Sequence, residues 1–379
     1  MAIGMMSGTS MDGIDAVLVR IEENFTFEVL CTHSLKYPKD VELKLLEIAN
    51  NKGSTKDICF MDFVVGKLFA QCANELVEKS GVEKSGVDFI ASHGQTVFHI
   101  PEELEIAGIK TKSTLQIGNI SVISQETGIK TIGDFRSMDV AVGGEGAPLV
   151  PFADEIIFGK KVPRVIQNIG GIGNVTVLSP HCETFAFDTG VGNMLIDYCA
   201  KKFFDIPFDK DGQVAFQGKI DEKWLHELLL EPYYKKFPPK STGRELFNDE
   251  YAENILKTAP HNPYDIMATI TALTAKTIID AYKKFVLPKT DITEVVLGGG
   301  GAYNKYLIQC LNTYSDGNFI IKTHSDYNID DKFKEAIAFA LLGYCNEVQL
   351  SNNIPNCTGA LKKVIMGVST QKVQDNTGY

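Results

Sequence analysis

A chain of 379 residues with 44% hydrophobic and 22% charged side chains can build two domains with cores of their own. That balance excludes a disordered, collagen-like or disulfide-stapled chain. The net charge of −11, from 37 basic and 48 acidic residues, excludes a global footprint for nucleic acid. A small anion is still admitted, because backbone amides act at contact distance.

The opening residues lack the basic and apolar regions of a secretory signal. The most continuous apolar run, 336–342, is far below the roughly 18–20 residues of a membrane span. A cytoplasmic protein without a membrane partner is therefore expected. Eight cysteines form no CxxC pair and seven histidines no HExxH, which predicts reduced, mostly buried thiols and no protein-held metal centre.

In chain order, residues 2–6 and 16–21 predict a hairpin around a turn of small residues. Apolar residues at helical spacing come next over 41–50 and 61–79, then a short buried strand, 89–92, ending at His93. The run Gly143, Gly144, Glu145, Gly146 breaks both patterns and marks a boundary and hinge candidate near 150. A second hairpin spans 164–178 around Gly170 and Gly171, raising an internal duplication against two unrelated hairpins. Then come a strand at 184–188, a helix at 193–204, a proline-punctuated helical region at 222–257, a long helix at 266–285 and a strand at 294–297. Helices at 302–311 and 334–347 and a frayed tail at 371–379 complete the chain. Alternating strands and helices predict an α/β protein with domains 1–150 and 151–379.

Three glycine turns come directly after strands. The first, Ser7 to Asp15, offers amides at Gly8, Met11, Gly13 and Ile14, hydroxyls at Thr9 and Ser10, and carboxylates at Asp12 and Asp15 for a hydrated Mg²⁺. An ordinary Asx-type hairpin turn is the plain alternative. Gly170 and Gly171 could supply a second set of amides. Gly298, Gly299 and Gly300, with Gly301, serve either a ligand or close packing. Together the turns favour nucleotide binding, yet GxxxxGK[ST], GxGxxG and the protein-kinase motifs are all missing.

Asp188, at a strand end before a glycine turn, suits a general base, or else caps the next turn or helix. His93, Thr96 and Arg136 come after strand-like runs and could hold a polar ligand. Arg136 equally fits a surface ion pair with Asp134 or Asp139, and Glu335 fits a helix dipole.

The ordered set Gly4-Met5-Met6-Ser7-Gly8-Thr9-Ser10-Met11-Asp12-Gly13-Ile14-Asp15, His93-Gly94-Gln95-Thr96, Asp134-Phe135-Arg136, Asn168 to Asn174, Phe187-Asp188-Thr189-Gly190 and the Gly298 run resembles the anhydro-N-acetylmuramic acid kinase family. One departure is Val191, where many relatives are expected to carry proline. The resemblance implies the actin, hexokinase and Hsp70-like ATPase fold, two α/β domains with the active site in the cleft between them. It also implies cell-wall recycling, in which ATP, Mg²⁺ and water convert 1,6-anhydro-N-acetylmuramic acid to N-acetylmuramic acid 6-phosphate. By that resemblance the Gly8 to Asp15 turn receives ATP phosphates, Asp188 is the catalytic base, and Thr96, Arg136 and Glu335 lie near the sugar. The partner expected is a small molecule, with a homodimer left open. An ordinary sugar kinase and a nucleotide-driven binding module of the actin or Hsp70 class are the alternatives.

Overall fold

The computed structural model describes residues 1–243 and 245–371. They form two compact units, Met1–Ile156 with the chain from Lys332 onward, and Ile157–Asp331. The α/β class expected from the sequence holds in both, each built on one sheet.

In the first unit β1 (Ala2–Ser7), β2 (Gly13–Ile21) and β3 (Phe27–Lys36) are antiparallel neighbours. β4 (Phe89–Ile106) runs parallel to β1 on its other side, joined by a hairpin partner β5 (Ile109–Ile117) and by β6 (Thr131–Gly133) parallel to β4. Alternation on β1 sends Ile3 and Met5 into a core with Val65, Phe69, Cys72 and Leu76 of the helix Thr55–Ser80. A Ser54–Asp57 capping box starts that helix and Gly81, in the left-handed region, ends it. Gly4 faces the helix Lys334–Glu347, so closely that a methyl group at Gly4 would overlap the Ala336 carbonyl oxygen.

In the second unit β7 (Arg164–Ile169), β8 (Ile172–Leu178) and β9 (Phe185–Val191) are antiparallel, and β10 (Glu294–Gly298) and β11 (Ile320–Thr323) extend the sheet in parallel from β7. The spatial order β9–β8–β7–β10–β11 repeats β3–β2–β1–β4–β6, strand for strand and direction for direction. This shared order supports duplication over two unrelated hairpins. The helix Pro263–Ala281 is buried on nearly every face, which its small Ala and Thr residues allow.

Several expectations are corrected. The second unit ends at Asp331, because the helix Lys334–Glu347 packs on β1, and a strand β12 (Val368–Ser369) pairs with β6. The chain crosses between units at Ile156–Ile157 rather than at the glycines near 143–146. β4 runs on through His93 and Thr96, since β5 supplies it with an antiparallel partner that sequence patterning did not reveal. Among the described residues of 222–257, helix is confined to Glu222–Leu228, Pro232–Lys235 and Asp249–Leu256. Of the tail expected to fray, 372–379 lie outside the described residues. Five of the eight cysteines are buried.

Candidate active site

In the second unit the β7–β8 turn is held from one side. Asn193 N donates to Gly170 O at 2.7 Å, Gly192 N to Gly171 O at 2.9 Å, and Asn193 Nδ2 to Ile169 O at 3.0 Å. Thr274, on the helix Pro263–Ala281, fixes Gly192 O at 2.9 Å. A methyl group on Gly170 or Gly171 would meet nothing nearer than 3.7 or 3.8 Å. Packing therefore does not demand these two glycines, whereas a ligand approaching the backbone would.

The Gly298 run divides differently. A methyl at Gly298 would overlap the His324 ring, and one at Gly301 the Ile169 side chain. Gly299 has φ +77 and leaves only 2.8 Å to Ile169 O, while Gly300 is limited only by Asn193 Nδ2 at 3.3 Å. Close packing thus accounts for Gly298, Gly299 and Gly301, and among these glycines Gly300 has the most room for a ligand. Asn193 joins both turns. The sequence reading took it only as the first residue of the helix expected at 193–204, which begins instead at Met194.

Asp188 lies on β9 and does not cap the next helix, which begins at Met194 after Asn193. Its Oδ2 accepts from Thr242 N at 2.9 Å, its amide donates to Lys240 O at 3.1 Å, and Tyr233 OH donates to its carbonyl at 2.9 Å. Desolvation pushes the carboxyl up to about 6, opposed by the Thr242 hydrogen bond and the Lys240 charge and assisted by Glu245. Burial in turn brings Lys240 down to about 8. Its Nζ is buried without a hydrogen-bond partner, 4.6 Å from the Tyr233 ring centroid and 5.0 Å from that of Phe285. Lys240 and Thr242 were missed because the 222–257 stretch read as helical. The signal was there in Pro238-Pro239 with Lys-Ser-Thr-Gly directly after it.

In the first unit Thr9, Ser10 and Asp12 are exposed on the β1–β2 turn, and a methyl on Gly8 would meet only Ser10 Oγ, at 3.8 Å. Gln95 Nε2 donates to Gly8 O at 3.1 Å, and Ser10 Oγ to Asp12 Oδ1 at 2.6 Å. Met11 and Ile14 point into the core, so only their backbone could meet a ligand. Gly13 is a glycine for β-pairing, with 2.5 Å from a methyl there to Leu35 O. Asp15 accepts from Ser34 Oγ at 2.5 Å and lies 3.6 Å from Lys332 Nζ.

Arg136 is half-buried and makes neither proposed ion pair. Its Nε and Nη2 reach His93 Nε2 at 3.0 and 2.9 Å, and its Nη1 donates to Gly146 O at 2.6 Å. Since Nε2 accepts, Nδ1 carries the His93 proton and donates to Gly94 O at 2.9 Å. Burial and the Arg136 charge hold His93 well below the usual range, hence neutral, while burial takes Arg136 down to about 10. Glu335 is exposed at its surface yet raised by desolvation, with Lys334 and Arg136 lowering it and Asp15 raising it. His93, Arg136, Glu335 and Asp15 thus share one neighbourhood. Thr96 instead accepts from Gln116 Nε2 at 3.1 Å. His93, Gly94, Gln116, Asn119 and Asp134 help line a cavity of about 230 Å³ in this unit. No cluster of metal-ligating side chains occurs among the described residues, and no helix of theirs is long and apolar enough to cross a membrane.

Within the second unit, an open glycine turn and a desolvated carboxylate carried by one antiparallel sheet are the equipment of a phosphotransferase that uses ATP. A family model described as anhydro-N-acetylmuramic acid kinase matches residues 1–372, and the chain belongs to that family. It is 43% identical to the anhydro-N-acetylmuramic acid kinase of Caldanaerobacter subterraneus subsp. tengcongensis, over 97% of this chain and 96% of that one. It is 41% identical to the one from Clostridioides difficile, over 98% of each chain. With the relative from Bacillus thuringiensis subsp. konkukian it shares 39% identity over 96% of this chain and 97% of that one.

Proposed function

We propose that the enzyme opens 1,6-anhydro-N-acetylmuramic acid with water and phosphorylates it at O6 with ATP. Asp188 takes a proton from water as the water oxygen bonds to the anomeric carbon. The bridge C1–O6 bond breaks, and O6 bonds to the γ-phosphorus as ADP leaves. The products are N-acetylmuramic acid 6-phosphate and ADP. The observation that carries this reading is Asp188 itself: a carboxyl raised to about 6, anchored at one oxygen by Thr242, on the strand that leads into the segment stitched to the Gly170–Gly171 turn.

In this reading the Gly8 and Gly170–Gly171 turns and Gly300 approach the nucleotide phosphates, and Arg136, with Glu335, His93 and Thr96, faces the sugar. Mg²⁺ would offset phosphate charge when bound. Exposed Asp12 is the better-suited carboxylate for it, Asp15 being engaged by Ser34 and Lys332. The reading also includes a cytoplasmic setting, where ATP is supplied, and a homodimer. Light scattering tests the dimer.

The deciding experiment is turnover in ¹⁸O-labelled water, sampled at short times against an unlabelled-product control. Label is expected at the anomeric hydroxyl and none in the transferred phosphate. Label in the phosphate, or phosphorylation of free sugar alone, would overturn the assignment.

A further inference from the structure

The glycine run 143–146 breaks the sequence pattern, and neither a domain boundary nor the phosphate turns account for it. It wraps one buried carboxylate. Asp139 is fully buried, and its Oδ1 accepts from Asn353 Nδ2 and Thr358 Oγ1, each at 2.8 Å. Its Oδ2 accepts from Gly146 N at 2.9 Å, and its carbonyl from Gly144 N at 2.9 Å. A methyl group on Gly144 would overlap that carboxylate. Gly146 has φ +69 and leaves 2.9 Å to Val140 Cγ2. The loop is closed from the other side by Glu145 N donating to Thr358 O at 2.8 Å.

The loop's output is a single carbonyl. Gly146 O, fixed because its own amide is bound to Asp139, accepts Arg136 Nη1 at 2.6 Å, while His93 holds the Nε edge of the same guanidinium. Arginine's planar fork is thus clamped from two directions, which matters for a group that must meet an acceptor in one orientation. We propose that Asp139 is a positioning residue for Arg136, acting through the Gly143–Gly146 loop, and that Asn353 and Thr358 from the end of the chain hold it in place. A buried anion satisfied by neutral donors is costly for a mere loop anchor. Its charge has a use here, since it favours the protonated guanidinium that burial opposes.

This inference rests on Arg136 facing the sugar, and the experiment separates the two claims. Thr358→Val keeps the side-chain shape and removes one donor to Asp139, Thr358→Ser restores it, and Arg136→Met removes the clamped group. For Thr358→Val the KM for the anhydro sugar is expected to rise about 10-fold, the loss of one hydrogen bond to a charged group. KM for ATP should stay within about twofold, and Thr358→Ser should return the sugar KM to normal. Asp139→Asn should raise the sugar KM further, because an amide cannot accept from all three donors. If Arg136→Met leaves the sugar KM unchanged, the sugar-site reading falls and this inference with it. If Arg136→Met raises it while Thr358→Val does not, or if Thr358→Val raises both KM values together, the positioning role alone is overturned.

Discussion

Asp188 and Lys240 are coupled twice: the Asp188 amide donates to the Lys240 carbonyl at 3.1 Å, and the Lys240 ammonium opposes the desolvation that raises the Asp188 carboxyl. A base must be ionised to act, so kcat/KM should fall as pH drops through about 6, the value to which Asp188 is pushed. Lys240→Met should fill the aromatic box yet remove the charge that lowers Asp188. The acid limb of the pH profile should then move upward. An unmoved limb in a folded variant would remove Lys240 from the account.

Asp188→Asn should cost about 10²- to 10⁴-fold in turnover, the range for a positioned general base, with nucleotide binding retained by calorimetry. Stability should move the other way. The folded state holds the Asp188 proton more tightly than the unfolded state, so ionisation above about 6 works against folding. At pH 7.5 the Asn variant should melt at the same temperature as the native protein or higher, by a gain on the order of 1–3 kcal/mol. A lower melting temperature would mean that the carboxylate is chiefly structural.

Gly8→Val and Gly171→Val should fold normally, because nothing in the protein stands within 3.7 Å of a first carbon at either place, and both should weaken ATP binding. Gly4→Ala should instead destabilise the fold by about 3 kcal/mol without touching the phosphate turn. Thermal melts beside nucleotide titrations distinguish the pair. Unchanged ATP affinity in both valine variants would exclude the turns as phosphate sites.

Chelation should abolish turnover and added Mg²⁺ restore it, since the metal is expected to arrive with the nucleotide and no cage of metal-ligating side chains occurs among the described residues. Asp12→Asn should raise the Mg²⁺ concentration needed for half-maximal rate. Full activity in exhaustively chelated enzyme would contradict both expectations.

Local signals made much of this legible. Both hairpins and the helices Thr55–Ser80 and Lys334–Glu347 could be read from periodicity, whereas Asp188, expected at a strand end before a glycine turn, lies within β9, which pairing with β8 carries on through Gly190 to Val191. What escaped depended on distant partners. β5 is half exposed and polar, so only its pairing with β4 identifies it. Lys240 matters through Asp188, far away in sequence, and the roles of the Gly298 run were divided only by His324 and Ile169. The surface ion pair considered for Arg136 gave way to His93, its partner 43 positions earlier.

The return of Lys334–Glu347 to β1 has a consequence for how the protein is made. Strands β1, β2, β4 and β6 leave the ribosome early, but the helix that covers Gly4 is synthesised after Asp331. The unit Ile157–Asp331 is continuous in sequence and complete before that helix exists. The middle of the chain is therefore complete in sequence before the first unit has the helix that covers one face of its sheet. A premature stop just after Asp331 would spare Ile157–Asp331 and leave the older part of the nascent chain the one that cannot finish.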